Sequence, residues 1–131
     1  MGGTLSFEGK PLKVKGTWKI SPAAAGWGAL NIGLMEIEGM DAYEEVDIIG
    51  FDPGEKLVHI FSVTNTAATH DHKGRWSDDN TLGVTYEGLQ EGKKYKEEIT
   101  IKVHSPKEWS IHEVDTLDGQ AISTMDVTLR K

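Results

Sequence analysis

No cysteine occurs among the 131 residues, which excludes disulfides and thiolate chemistry and fits a reducing compartment. Positive charge is scarce. With 14 Lys and Arg against 21 Asp and Glu, the formal net charge is -7, which argues against a nucleic-acid partner or an anionic membrane surface. The one basic cluster, Lys93, Lys94, Lys96 and Lys102, places its even-numbered members on one strand face and reads as solvated exterior. No apolar run approaches the roughly 20 residues of a membrane helix, and the start Met1-Gly2-Gly3-Thr4 lacks the charged and apolar regions of a signal peptide, so a soluble cytoplasmic protein is expected. Sustained helical spacing, internal repeats and linkers are also missing, and the length predicts one domain over residues 1–131. The glycines at 26, 28 and 33 do not spell a dinucleotide-binding loop, and no Ser sits in a nucleophile elbow. No catalytic residue is assigned.

Short runs rich in Val, Ile, Thr, Trp and Tyr remain, separated by turn clusters such as Gly9-Lys10-Pro11, Asp52-Pro53-Gly54, Asp78-Asp79-Asn80 and Asp118-Gly119. Strand patterns fall within Thr4 to Glu8 and Leu12 to Ile20, then Trp27 to Ile37, Tyr43 to Phe51, Lys56 to Thr64, Thr69 to Trp76, Thr81 to Glu87, Lys93 to Val103, Glu108 to Thr116 and Gln120 to Leu129. The stretch from Pro22 to Gly26 reads as a loop. These runs predict an all-β, antiparallel up-and-down meander of about eight to ten strands, and closing it into a barrel removes the exposed edges.

One face of each strand in a small barrel lines the interior. Leu12, Val14, Trp18 and Ile20 share such a face. An even-numbered loop around Asn65 to Ala68 would place Leu57, His59, Phe61 and Val63 on the same side as His70, His72, Gly74 and Trp76, continuing into Leu82, Val84 and Tyr86. Tyr95, Glu97, Ile99, Ile101 and Val103 form the next inward row, and Trp109, Ile111 and Glu113 the one after it. Ala121, Ser123, Met125, Val127 and Leu129 follow on the last strand.

The candidate ligand-binding residues are therefore His59, Phe61, His70, His72, Trp76, Tyr86, Tyr95 and Glu97, with Trp27, flanked by Gly26 and Gly28, as a lid over the barrel mouth. In Thr69-His70-Asp71-His72 the two imidazoles project from one side of a strand about 6 to 7 Å apart. With His59 or Glu97 as third ligand they form a candidate divalent-metal site, against which stands the plainer reading of one solvated and one hydrogen-bonded histidine. A carboxylate at Glu97 has a raised pKa inside an apolar barrel unless His59, His72 or Arg75 pairs with it. The competing reading leaves Glu97 wet at the mouth, where a one-residue bulge would exchange it with Glu98. Glu113, close to the turn at Leu117 to Gly119, is expected to be solvated. Trp18 and Trp109 are expected to fill core.

Gly16-Thr17-Trp18, Gly26-Trp27-Gly28, Tyr43 and Gly50-Phe51-Asp52-Pro53, followed by a strand containing His59, resemble a bacterial and archaeal domain-of-unknown-function family with a calycin-like, or lipocalin-like, barrel. Gly74-x-Trp76, Leu82-x-Val84-x-Tyr86-x-Gly88 and Leu117-Asp118-Gly119 are compatible with that family's spacing. The resemblance implies a fold and carries no activity. Some calycin-like barrels bind haem through one histidine, and none of the five histidines here is singled out for that role. The expectation is a noncatalytic barrel holding a small apolar or amphipathic molecule, without a permanent cofactor. The alternatives are a His/Glu-based or metal-assisted enzyme and a scaffold that assembles as a homodimer.

Overall fold

A computed structural model describes all of residues 1–131. Ten strands follow one another: β1 (Gly2–Phe7), β2 (Lys10–Ala23), β3 (Gly28–Ile37), β4 (Tyr43–Asp52), β5 (Leu57–Thr64), β6 (Thr69–Asp78), β7 (Thr81–Gln90), β8 (Lys93–Ser105), β9 (Glu108–Leu117) and β10 (Gln120–Arg130). Each pairs antiparallel with its sequence neighbours, and β1 closes the circle on β10 from Gly2↔Thr128 to Phe7↔Ser123. The result is the closed up-and-down barrel that the alternation predicts, and closure leaves no unpaired edge strand. No helix is long and apolar enough to cross a membrane.

Tight turns fix the meander. Glu8-Gly9, Glu91-Gly92 and Asp118-Gly119 all have positive φ at both positions, the type I′ geometry that matches the twist of the strands they join. At the other end Asp52 Oδ1 accepts hydrogen bonds from the backbone N–H groups of Gly54 and Glu55. Strand β2 runs on to Ala23, so the expected loop shrinks to a single 3-10 turn at Ala24–Gly26.

The loop between β5 and β6 overturns one expectation. Thr64 N–H donates to Ala68 O, leaving three loop residues, Asn65 to Ala67, with Ala67 at φ 65. An odd loop places Val58, Ile60 and Ser62 opposite Gly74, His72 and His70, so these even-numbered residues face inward. His59, Phe61 and Val63 consequently lie on the outer wall. Phe61 packs in no core, and the His59 Nδ1–H donates to Asp71 Oδ1 at 3.2 Å.

Two small apolar clusters occupy the interior: Val14, Met35, Ile111 and Val127, and Val58, Leu82 and Val84, with Ile99 and Ile101 packed against both. Only these seven apolar side chains are fully buried. So small a core leaves the barrel partly unfilled. Polar groups occupy the rest: Asn31, Asp47, Ser62, His72 and Glu97 are as buried as the core.

Candidate functional site

The unfilled interior is a cavity of about 360 Å³, in the size range of small-molecule sites. It reaches the barrel end formed by the β1–β2, β3–β4 and β5–β6 connections, where Phe7, Met40 and Thr66 border it. Leu5, Trp18, Met35, Ile101, Ile111, Trp109 and Met125 are among its apolar lining. Five carboxyl side chains, Glu45, Asp47, Glu97, Glu113 and Asp115, and two imidazoles, His70 and His72, line it as well, and neither Lys nor Arg reaches the cavity.

Register explains how the polar groups meet. Cross-strand pairing sets Asn31 beside Asp47, Asp47 beside Ser62 and Ser62 beside His70, one continuous row across four strands. The Asn31 side-chain amide donates to Asp47 Oδ2 at 2.7 Å, and the Ser62 hydroxyl donates to Asp47 Oδ1 at 2.5 Å. Asn31 Oδ1, on a residue 1% exposed, has no partner. Asp115 Oδ1 and Trp18 Nε1 are likewise buried and unpaired. Buried polar atoms are almost always satisfied, so these three around one cavity leave hydrogen-bonding capacity open toward it.

Glu97 is the centre of the second group. From β8 its Oε1 meets His70 Nδ1 at 2.5 Å and its Oε2 meets His72 Nε2 at 2.5 Å, both histidines coming from β6. The Tyr95 hydroxyl donates to Glu97 Oε1 at 3.0 Å. Tyr86, on the intervening strand β7, stacks on His70 with ring centroids 3.9 Å apart. Gly88 makes that possible, because a Cβ there would lie 2.2 Å from the Tyr86 hydroxyl. Gly33 plays the same part for Trp18, whose Nε1 would be 2.8 Å from an added Cβ.

The environment drives these acids apart in proton affinity. Burial alone would raise Glu97, yet hydrogen bonding and charge from His72, then the charge of His70, hold its pKa below the usual carboxylate value. Pairing with His72 is the exception under which Glu97 is not raised, and its burial replaces the competing reading of a wet carboxylate at the mouth. His72 is the counterpart: burial opposes its charge, and the Glu97 hydrogen bond and charge override burial to raise its pKa. Burial, followed by the charge of Asp47, pushes Glu45 up to about 8. Burial also raises Glu113 well above its ordinary value, with Asp115 and Glu97 adding repulsion. Asp115 is raised by burial too, against the hydrogen bond from Ser123. Glu113 therefore lies within the acidic lining and not in solvent.

Of the sequence-derived candidates, His70, His72, Tyr86, Tyr95 and Glu97 come together. His59 and Phe61 are on the outer wall, so His59 cannot join the histidine pair as a metal ligand. Trp76 shares the inward row of β6 but stands half-exposed beside a register shift and does not reach the cavity. Trp27 is 88% exposed on the β2–β3 connection, at the opposite end from the cavity opening, and covers nothing. Asn31, Glu45, Asp47, Ser62 and Asp115 are functional candidates that the strand patterns did not single out. Their signal is alternation of polar residues in Tyr43-Glu44-Glu45-Val46-Asp47-Ile48, where the row containing the apolar residues is the wrong one to bury. Compared with models of known protein families and with curated proteins, the chain matches none.

Proposed function

We propose that this protein is a noncatalytic β-barrel that binds a small amphipathic molecule in its interior, apolar body against Trp18, Met35, Trp109 and Met125 and polar end among the acids. The carrying observation is the mixed lining of the cavity, apolar side chains together with five carboxyl groups and no Lys or Arg. Such a lining favours hydrogen-bond donors and positive charge, and an organic ammonium is the simplest group that offers both. The calycin-like resemblance of the sequence agrees with this reading.

Trp18 and Trp109 border the cavity, so tryptophan fluorescence reports occupancy. Titration with octylammonium should give a saturable change, and octanoate of matched length should not. Equal response to both ions, or to neither, would overturn the preference for a donor-bearing polar end.

A second reading, an acid–base enzyme, is favoured by the opposite proton affinities of Glu45 and Glu97 within one cavity, an arrangement that supplies an acid and a base at the same pH. A turnover lost in folded His72→Ala protein would select it. A homodimer is favoured by the apolar strip on the outer wall, where Ile32 pairs with Val46, Val46 with Val63, and Ile48 with Phe61. Light scattering on the wild type and on Ile48→Ser separates a dimer from a monomer.

A further inference from the structure

We infer that His70, His72 and Glu97 form a binding site for one divalent transition-metal ion of the zinc class. This goes beyond the ligand reading and does not depend on it. The His72 Nδ1 lies 3.1 Å from the backbone carbonyl oxygen of Ile60, an acceptor only, so Nδ1 carries a proton. The other ring nitrogen, Nε2, therefore faces the Glu97 carboxylate at 2.5 Å. With Nδ1 donating to Ile60, the Nε2 lone pair is the ring's free ligand position, and it is aimed at the Glu97 carboxylate. A metal ion held there would take Nε2 and the carboxylate oxygen as ligands once the two draw apart from hydrogen-bond distance.

Three further features suit a metal. His70 Nδ1 meets the same carboxylate at 2.5 Å, and one donor atom from each of the three residues lies within 4.8 Å of the others. Two imidazoles and one carboxylate are a known donor set for zinc sites that keep an open position, with nitrogen and oxygen ligands about 2.0 to 2.2 Å from the ion. The surroundings already provide outer-shell support. The Ile60 carbonyl fixes the His72 tautomer, the Tyr95 hydroxyl orients Glu97, and Tyr86 holds the plane of His70, the kind of contacts that tune metal ligands. All three ligands border the cavity, so the remaining coordination positions face it.

The test uses untagged full-length protein, freed of metal with chelator and then titrated with Co2+ and, in competition, Zn2+. The expected result is one equivalent bound, with visible d–d bands of a four- or five-coordinate ion that Zn2+ abolishes. His70→Ala and Glu97→Gln should each weaken binding by about 100-fold or more. His59→Ala and His112→Ala, on the outer wall, should leave it unchanged. Because Glu97→Gln removes a buried charge and can unfold the barrel, X-ray absorption of the Zn2+-loaded wild type supplies an independent readout, in which two imidazoles must appear in the first shell. No stoichiometric uptake, a first shell without imidazole, or uptake lost in His59→Ala and kept in folded His70→Ala would overturn the site and leave an adventitious ion only. No organic ligand enters the experiment, so its failure does not touch the amphipathic-ligand reading, and failure of the octylammonium titration does not touch the metal site.

Discussion

Strands β8 and β4 carry their polarity in opposite senses. On β8 Tyr95, Ile99 and Ile101 face the cavity, and Glu98 and Lys102 are exposed on the outside, with Glu97 the one ionised exception inside. On β4 the order inverts: Glu45 and Asp47 face the cavity, and Val46 and Ile48 face out, Ile48 being 60% exposed. The inversion extends to β3 and β5, where Asn31 and Ser62 are buried and Ile32, Phe61 and Val63 are exposed. Burying polar groups has a cost unless they are paired, and exposing apolar ones gives up the main driving force of folding. A sector that does both has been arranged for something other than its own stability. The regular sector holds the barrel together and brings Glu97, Glu113 and Asp115 into the cavity; the inverted one adds Asn31, Glu45, Asp47 and Ser62 to the lining and presents an apolar strip outside.

The largest expected effect is on the pH dependence of stability, to which the acids of both sectors contribute. The Glu45 carboxyl binds its proton more tightly in the fold than in the unfolded chain, with a pKa raised from 4.5 to about 8. Its contribution is complete below pH 4.5 and is lost as pH rises toward 8. His72, also raised, contributes fully below its unfolded pKa and loses that contribution as pH rises through its folded one. Glu97, lowered, acts oppositely: its contribution is present above 4.5 and disappears as pH falls through its folded pKa. The ligand-free protein should be most stable in mildly acidic solution and lose at most about 4 kcal/mol through Glu45 by pH 9. Glu113 and Asp115, raised as well, add to the same limb, so Glu45→Gln should reduce it in part in urea titrations, and an unaltered limb would assign the effect to them.

The polar row comes next. Asp47→Ala strips the only partner from the Asn31 amide and the Ser62 hydroxyl, with an expected loss of about 3 kcal/mol. Chemical denaturation checks this, and a loss below about 0.5 kcal/mol would mean that the row is not built as described. A smaller effect, about 1 to 2 kcal/mol, is expected for Gly88→Ala, where the new methyl must push Tyr86 off His70. Its companion sign is a shift of the His70 ring resonances in NMR spectra, which simple loosening of β7 elsewhere would not produce. Least affected is the outer strip: Ile48→Ser should change stability by no more than about 0.5 kcal/mol. A large destabilisation there would show that Ile48 is covered, and the contrast between the sectors would fail.

The same contrast decides what could be read from the amino-acid order. The meander was legible because turn residues recur between alternating runs; Asp118-Gly119 does form a two-residue turn, while the first turn falls at Glu8-Gly9 and leaves Lys10 and Pro11 of the expected cluster in β2. On the regular sector the inward rows of β2, β8 and β9 follow from hydrophobic alternation, which brought Tyr95 and Glu97 to the interior. His70 and His72 were placed inside through their link to Leu82, Val84 and Tyr86. The parity argument failed at one loop. Ala67 adopts a left-handed conformation that its side chain does not advertise, and the odd loop reverses β5, taking His59 and Phe61 out of the site. On β4 the sequence misleads for a different reason: Val46 and Ile48 look like core, and only the closed barrel shows that Glu45 and Asp47 take the inner positions. Glu113 illustrates the remaining gap, since proximity to a turn suggested solvent and the fold turns it into the cavity beside Asp115 and Glu97.

The most direct test of the inverted sector as a binding wall is amide and side-chain NMR shift mapping during titration of the protein with octylammonium. Saturable shifts should concentrate at the inward groups Asn31, Asp47, Ser62, Asp115 and Trp18, with the outward Ile48 and Val63 side chains unmoved. Shifts confined to Ile48, Phe61 and Val63, or no saturable shifts at all, would contradict the account.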